Sequence, residues 1–294
     1  MRAGVLNVNK PVGATSFWVV RRLRQVSGAH RVGHAGTLDP LASGVLPLLF
    51  ESATRLADFA HQLPKTYEAE VMFGFRTATD DAEGEMEAVA DPSRLDAAQV
   101  RAELAHFVGR ISQQPPRFSA VKIDGERSYA RARRGEESQP RAREVEVHGA
   151  ELLEFSAGPQ ARARVRVVCG SGTYLRSLAR DLGQALGVGG YLGRLVRTAY
   201  GPLGIENAVE VDEITDAAAL EARLLPAEII LPPMTRVELA PGQEAQIRQG
   251  RSVRVLPEPA PGAVRAHDEQ GGLIAIGHTD PLRRLFVPDK VLGR

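Results

Sequence analysis

The residues best placed to do chemistry stand together in one short loop, Gly33-His34-Ala35-Gly36-Thr37-Leu38-Asp39-Pro40, between a basic segment and an apolar run. Its glycines let backbone approach a ligand closely, and functional groups concentrate on such loops. Asp39 offers a carboxylate that can serve as base or nucleophile. Asp before Pro is also ordinary turn chemistry, and the loop alone leaves both readings open. His30 and His34 are four apart, but the glycines in and beside that stretch oppose the helix a metal-binding pair needs. No carboxylate-rich third group lies nearby, so no metal is expected. His34 stays open as a substrate contact or a loop hydrogen-bonder. Cys169 is the only cysteine, which excludes a disulfide framework within the chain and a cysteine-rich zinc site. The glycines from Gly187 to Gly193 lack the spacing and the preceding strand of a dinucleotide fingerprint. Neither a Walker A sequence nor a nucleophile elbow occurs.

These residues need elements to position them. Residues 5–8 read as a strand and 10–13 as a turn; Thr15 or Ser16 then caps a helix to about Val26, stopped by Gly28. The loop of Asp39 follows, then an apolar run over 44–50. A strand is expected over 67–75 and a helix over 96–108, capped near Ser93 or Asp96. Residues 113–143 are rich in Pro, Arg, Gly and Ser without sustained periodicity, and most of that stretch reads as a long mobile loop. Strands return at 145–154 and 162–169, the latter alternating Arg with small apolar residues. Residues 174–186 read as a helix and 192–196 as part of a further element. Composition changes at Leu231-Pro232-Pro233. Beyond it, a short helix over 242–249 lies among about five short strands, the pattern of a small β-barrel-like module.

The chain has 294 residues, enough for one large or two unequal domains, and 43% are hydrophobic, so it can bury a core. The N-terminal residues lack a signal-peptide core and no apolar stretch is long enough to span a bilayer; a cytoplasmic location and no membrane association are expected. Formal net charge is only +1, yet the charge is segregated. Residues 1–38 carry six basic groups and no acid, and residues 162–197 carry seven arginines against Asp181 alone. Residues 78–104 and 206–228 are acidic. Segregated basic stretches can present a positive face to a polyanion. Arginine supplies 33 of the 37 basic residues; that ratio follows from codon usage more simply than from function.

Several ordered blocks together resemble one family, the bacterial tRNA pseudouridine-55 synthases (TruB-type) with a C-terminal RNA-binding PUA domain. The blocks are Asn9-Lys10-Pro11-Val12-Gly13-Ala14-Thr15-Ser16, then GHAGTLDPLASGVL, then Lys65-Thr66-Tyr67 followed by Gly74, Thr77, Thr79, Asp81 and Gly84. After these come Gln114-Pro115-Pro116 with Ser119, Ala120, Lys122, Gly125 and Tyr129, and finally CGSGTYLRSLARDLG. The resemblance runs from about Leu6 to the C-terminus. Tyr191 and Val196 depart from it, standing where His and Arg are frequent, and Asn9 stands where Asp is common.

The resemblance implies a mixed α/β (α+β) catalytic domain on a central, mostly antiparallel sheet with flanking helices over 1–233, and a PUA domain over 234–294. It implies that uridine 55, in the T-loop of tRNA, is isomerised to pseudouridine. That reaction breaks the bond from N1 of uracil to the ribose, turns the base and joins C5 to C1′. No electrons are exchanged and no atoms are added, so no cofactor and no metal are expected. In the family's pattern Asp39 is the essential carboxylate, acting on the sugar as nucleophile or base, and Arg176 orients it. Tyr67 stacks on the detached base with its hydroxyl near C5. Tyr174 and Leu195 shape the pocket, His34 contacts the RNA as the nucleotide is extruded, and Lys10 joins the substrate-binding set. The stretch from Arg117 to Arg143 matches a loop that clasps RNA. The expected partner is the T-arm stem-loop of tRNA, bound by a monomer with no obligatory protein partner. Two other functions fit parts of the pattern. One is a guide-RNA-dependent pseudouridine synthase, disfavoured by the compact chain without basic tails. The other is a non-catalytic RNA-binding or RNA-folding protein, disfavoured by Asp39, Tyr67 and Arg176.

Overall fold

A run of nine residues, Ala42–Phe50, is buried along almost its whole length, and the rest of the larger sheet is arranged around it. The structure is a computed structural model. It describes residues 1–119, 122–123, 126–127, 134, 140–255, 262–280, 282 and 284–292. In chain order the elements that matter are β1 (Gly4–Lys10), α1 (Ser16–Ser27), β2 (Val32–His34), β3 (Ala42–Phe50), α2 (Ala57–Gln62), β4 (Lys65–Phe73), β5 (Phe75–Thr77), β6 (Met86–Ala88), α3 (Ala97–Ala105), β7 (Gly109–Gln113), β8 (Lys122–Ile123), β9 (Glu126–Arg127), β10 (Arg143–Ser156), β11 (Arg162–Cys169), α4 (Leu175–Ala185), β12 (Gly190–Tyr200), β13 (Leu203–Gly204), β14 (Val209–Glu210) and α5 (Ala217–Arg223). A C-terminal group follows: β15 (Thr235–Glu238), α6 (Gln243–Arg248), β16 (Ala263–His267), β17 (Leu273–Asp280) and β18 (Leu285–Val291).

The main sheet has ten strands in the order β14-β1-β3-β12-β4-β11-β10-β7, with β2 on β3 and β13 on β12. Only β1–β14 and β3–β12 run parallel; the other pairs are antiparallel. The fold is therefore mixed α+β on a largely antiparallel sheet. β3 reads as an unbroken apolar run because both of its faces are covered, one by each of two hydrophobic clusters. β11 instead alternates: Ala163, Val165 and Val167 face the core, while Arg162, Arg164 and Arg166 face water.

Local signals behave as their chemistry requires. Thr15 accepts the Trp18 N–H at the start of α1, and Gly28 ends the helix with a left-handed φ of 64°. Asp96 and Gln99 form a reciprocal capping box on α3. α2, β5 and β6 are short elements without a strong period of their own. Most of the 117–143 stretch expected to clasp RNA lies outside the described residues; of its strands, β8 and β9 pair with one another.

The C-terminal sheet runs β15-β16-β17-β18, and Val253 bridges to Phe286 as a fifth segment beside β18. It has its own core around Val264, Ile274 and Phe286. Ile276 and Leu292 turn the other way, into a cluster shared with Val5, Leu49, Leu56 and Ile230 of the larger unit. Among the described residues no helix is long and apolar enough to cross a membrane.

Candidate active site

The loop between β2 and β3 is tied down from three directions, and Asp39 is its most useful side chain. The Ser16 hydroxyl at the start of α1 accepts the Leu38 N–H (2.9 Å) and donates to the Leu38 carbonyl (3.1 Å). The Gly13 N–H donates to Pro40 O at 2.7 Å. From β12, Arg197 Nη2 donates to Gly36 O at 3.1 Å. Gly36 takes a φ of 82°, and a side chain there would press on the Tyr200 ring. The turn chemistry of Asp-Pro and an open carboxylate therefore coexist: the backbone makes the turn and leaves the Asp39 side chain 39% exposed in a cleft.

That cleft has a volume of about 430 Å³, and its lining includes Asp39, Tyr67, Tyr174, Arg176 and Leu195. Five of the seven residues expected in the site thus converge from the β2–β3 loop, β4, α4 and β12. Arg176 lies in the first turn of α4, 7% exposed, with Nη2 2.9 Å from Asp39 Oδ2. The same guanidinium reaches Asp81 Oδ2 at 3.4 Å and donates to Phe118 O (3.0 Å) and Thr79 O (3.3 Å). Asp81 is itself fixed, accepting from the Thr79 hydroxyl (2.5 Å) and the Glu83 N–H (3.1 Å). One buried arginine is therefore shared by two carboxylates, of which only Asp39 opens to solvent. Such a fork fixes the plane of a carboxylate in a way that a point charge does not.

Tyr67 lies on β4 with the Arg197 guanidinium 6.0 Å from its ring, and burial pushes its phenol pKa up, so it stays protonated. Tyr174 precedes α4 and is clamped through its backbone by Gln113, whose side chain accepts Tyr174 N–H (2.8 Å) and donates to Tyr174 O (3.1 Å). Leu195 sits on β12 opposite Ala42 and Ala69, an apolar patch of cleft wall.

Two expected residues stand apart from the lining. Lys10 is fully buried, and its ammonium donates to Pro11 O (2.9 Å) and Ala14 O (2.7 Å), holding the turn that leads into α1. Burial lowers its pKa to about 8, against the raising pull of Asp39. His34 pairs across to Leu48 on β3. Its pKa is lowered, first by burial and then by the charges of Arg197 and His61, so its ring is neutral at pH 7, and its buried Nδ1 has no hydrogen-bond partner among the described residues. Of the positions that depart from the family pattern, neither Tyr191 nor Val196 is among the cleft-lining residues; the Tyr191 hydroxyl meets Met86 Sδ at 3.6 Å.

Arg197 is not among the expected site residues, although it is the largest fully buried side chain among the described residues. Its Nε donates to Val45 O at 2.6 Å, and its guanidinium lies 5.1 Å from the Tyr200 ring. The available signal was strand phase: Leu195 and Arg197 share the inward face of β12, so a charge there must be buried. Lys65 is the second addition. Its ammonium donates to His61 O and the Ser171 hydroxyl, both at 2.7 Å, under the Tyr200 ring, and burial lowers its pKa to about 8.

Comparison with known proteins gives the family of the chain. A model of the TruB family pseudouridylate synthase N-terminal domain matches residues 24–175, and one of the tRNA pseudouridylate synthase B C-terminal domain matches 176–232. A tRNA pseudouridine synthase B of Synechococcus sp. is 42% identical over 281 residues, 93% of each chain. That of Thermobifida fusca is 42% identical over 282 residues, 94% of each. Among solved structures, one of a Cbf5-Nop10-Gar1 complex matches with a TM-score of 0.69 and 26% identity, covering 94% of this chain and 78% of that one. The chain belongs to the TruB family of pseudouridylate synthases.

Proposed function

We propose that this protein isomerises uridine to pseudouridine in tRNA, at position 55 of the T-loop, with Asp39 as the essential carboxylate. The observation that carries the reading is the Asp39 carboxylate itself, open to the cleft and held 2.9 Å from a buried arginine, in a chain of this family. The curated relatives, named as acting on tRNA, match over nearly their full length. The Asp39 carboxylate acts on the ribose as nucleophile, bonding C1′ as N1 leaves and departing when C5 attacks, or as base, taking a ribose proton that is later returned; the freed uracil turns on the Tyr67 ring. C5 then joins C1′; the proton on C5 is lost and N1 gains one, so atoms and electrons balance. Tyr67 and Leu195 supply apolar surface that keeps the detached base in place, while Tyr174 closes the wall. Arg176 orients Asp39 throughout. His34 meets the RNA beside the cleft, and Lys10 acts at the rim through the turn it holds.

The same reading divides the chain into a catalytic domain over 1–233 and a PUA domain over 234–294 that adds RNA affinity. It takes the protein to be a cytoplasmic monomer needing no protein or guide RNA. The test is Asp39→Asn on a bare tRNA transcript. The amide keeps the shape and removes the charge, so pseudouridine formation is lost while tRNA affinity stays within a few fold. Turnover by a contamination-free Asn variant would refute the assignment, and a wild-type protein that modifies tRNA only with added guide RNA or partner proteins would refute the stand-alone reading.

A further inference from the structure

α1 turns Val19, Val20 and Leu23 into the core and leaves two aromatics outside it: Phe17 is 70% exposed and Trp18 37%, with Val12 at 65% just before them. Single exposed apolar residues are ordinary, but two adjacent exposed aromatics at one helix start form a patch. Helical spacing sets Arg21 and Arg24 on the face of Phe17, at i+4 and i+7, and Arg22 on that of Trp18. All three arginines are exposed, and none has an ion-pair partner among the described residues. They differ in this from two exposed arginines of β11: Arg164 pairs with Glu154, and Arg166 with Glu68 and Glu151. The patch also has a fixed relation to the cleft. Ser16, the residue before Phe17, is bonded to both backbone groups of Leu38, the residue before Asp39.

We propose that this face of α1 is a second substrate subsite, binding the tRNA strand next to the target uridine. Phe17 and Trp18 stack on an unpaired base, and Arg21, Arg22 and Arg24 hold the phosphates beyond it. The inference rests on the reading of the chain as a tRNA-modifying enzyme. Exposed rings beside a line of uncompensated guanidinium groups fit a single-stranded polyanion with flat bases, since rings stack on any base and arginine pairs with phosphate. Charge complementarity is the deciding argument: residues 1–38 contain no acid at all. The arginines run away from the cleft along α1, Arg24 standing roughly 10 Å beyond Phe17 at the helical rise. A strand whose target base enters the cleft can therefore continue across them.

Trp18 is the only tryptophan, so its emission reports directly on this surface. With the full-length Asp39→Asn protein, saturating unmodified tRNA transcript should quench that emission with the midpoint seen by filter binding. In the otherwise wild-type enzyme, Phe17→Ala should raise KM about tenfold with kcat changed less than about twofold, and Phe17→Tyr should restore it. Replacing Arg21, Arg22 and Arg24 by Gln should make the dependence of log affinity on log salt shallower by about two to three. These side chains are exposed, so melting temperatures should match wild type; should Phe17→Ala fail to fold, the emission and the arginine variant still decide. Unmoved Trp18 emission at saturating tRNA, or an arginine variant with unaltered affinity and salt slope, overturns the subsite. A wild-type enzyme that modifies tRNA while Trp18 is silent overturns only this inference, whereas one that leaves tRNA unmodified overturns the functional reading.

Discussion

At the scale of single residues, the site is governed by how few groups neutralise its charges. Arg176 serves both Asp39 and Asp81, and its planar fork makes that sharing possible. Arg176→Lys keeps the charge but cannot hold both acids, so Asp39 loses its orientation. The single-turnover rate should fall about 100-fold or more with tRNA affinity within a few fold, since small misplacements of a reacting group cost that much. An unchanged rate would show that orientation by the fork is unimportant. Lys10 and Lys65 give a second prediction. Burial lowers both to about 8, while the unfolded chain keeps ordinary lysines near 10.5. Between about pH 8 and 9 the unfolded state therefore binds more protons than the folded one, and stability rises with pH. At higher pH the trend is opposed, because burial raises the pKa of Cys169 to about 11 and also raises those of Tyr67 and Tyr200. Urea midpoints across that window should rise, and Lys65→Met should remove a large part of the rise. A flat profile in the wild type would mean that the buried ammonium groups are fully compensated by their hydrogen bonds.

At the scale of elements, the site depends on the parallel contact between β3 and β12, which carries the Asp39 loop past Arg197. Gly44 lies in that contact with a φ of 104°, and a methyl group there would collide with the Arg197 backbone. Gly44→Ala should cost about 2 kcal/mol or more through strain and overlap together. It should also slow the reaction, because Arg197 holds Gly36 in place; thermal melts and single-turnover rates check both. The positions of α1, β3, α3, β11 and α4 were legible in the sequence because caps, periodicity and apolar runs are local signals. Thr15, Gly28 and Asp96 act within a turn of their own helices. β5, β6 and α2 were not legible, since their short spans carry no period and are stabilised by what lies beside them.

At the scale of the molecule, charge clustering along the chain changes meaning once the chain folds. Of the seven arginines in 162–197, Arg164, Arg166, Arg176 and Arg180 pair with carboxylates and Arg197 is buried. Arg162 and Arg194 stay exposed without an ion pair among the described residues, so the stretch is neutralised only in part, and the three arginines of α1 are uncompensated as well. The C-terminal sheet is likewise joined to the larger unit, through Ile276 and Leu292 in the shared cluster and through ion pairs Lys290–Asp58 (2.6 Å) and Arg265–Glu228 (2.9 Å). Leu292→Ala should destabilise the whole chain by about 2–5 kcal/mol and keep a single unfolding transition. A separate early transition in calorimetry would show instead that the C-terminal unit melts alone. Removing 234–294 should then lower melting temperature as well as tRNA affinity, because Val5, Leu49 and Ile230 lose cover.

The amino-acid sequence by itself determined the loop of Asp39, the succession of most strands and helices, and the ordered blocks by which the chain resembles its family. Those features rest on contacts within a few residues or on residue types in fixed order, and both can be read along a chain. Only the tertiary structure decided that Arg176 is shared with Asp81, that Arg197 and Lys65 lie beneath the cleft, and that Lys10 is sealed inside a turn. Each of these depends on β4, β12 and α4 meeting the β2–β3 loop. Burial and ion pairing across elements have no trace in local spacing beyond the inward phase of Arg197 on its strand.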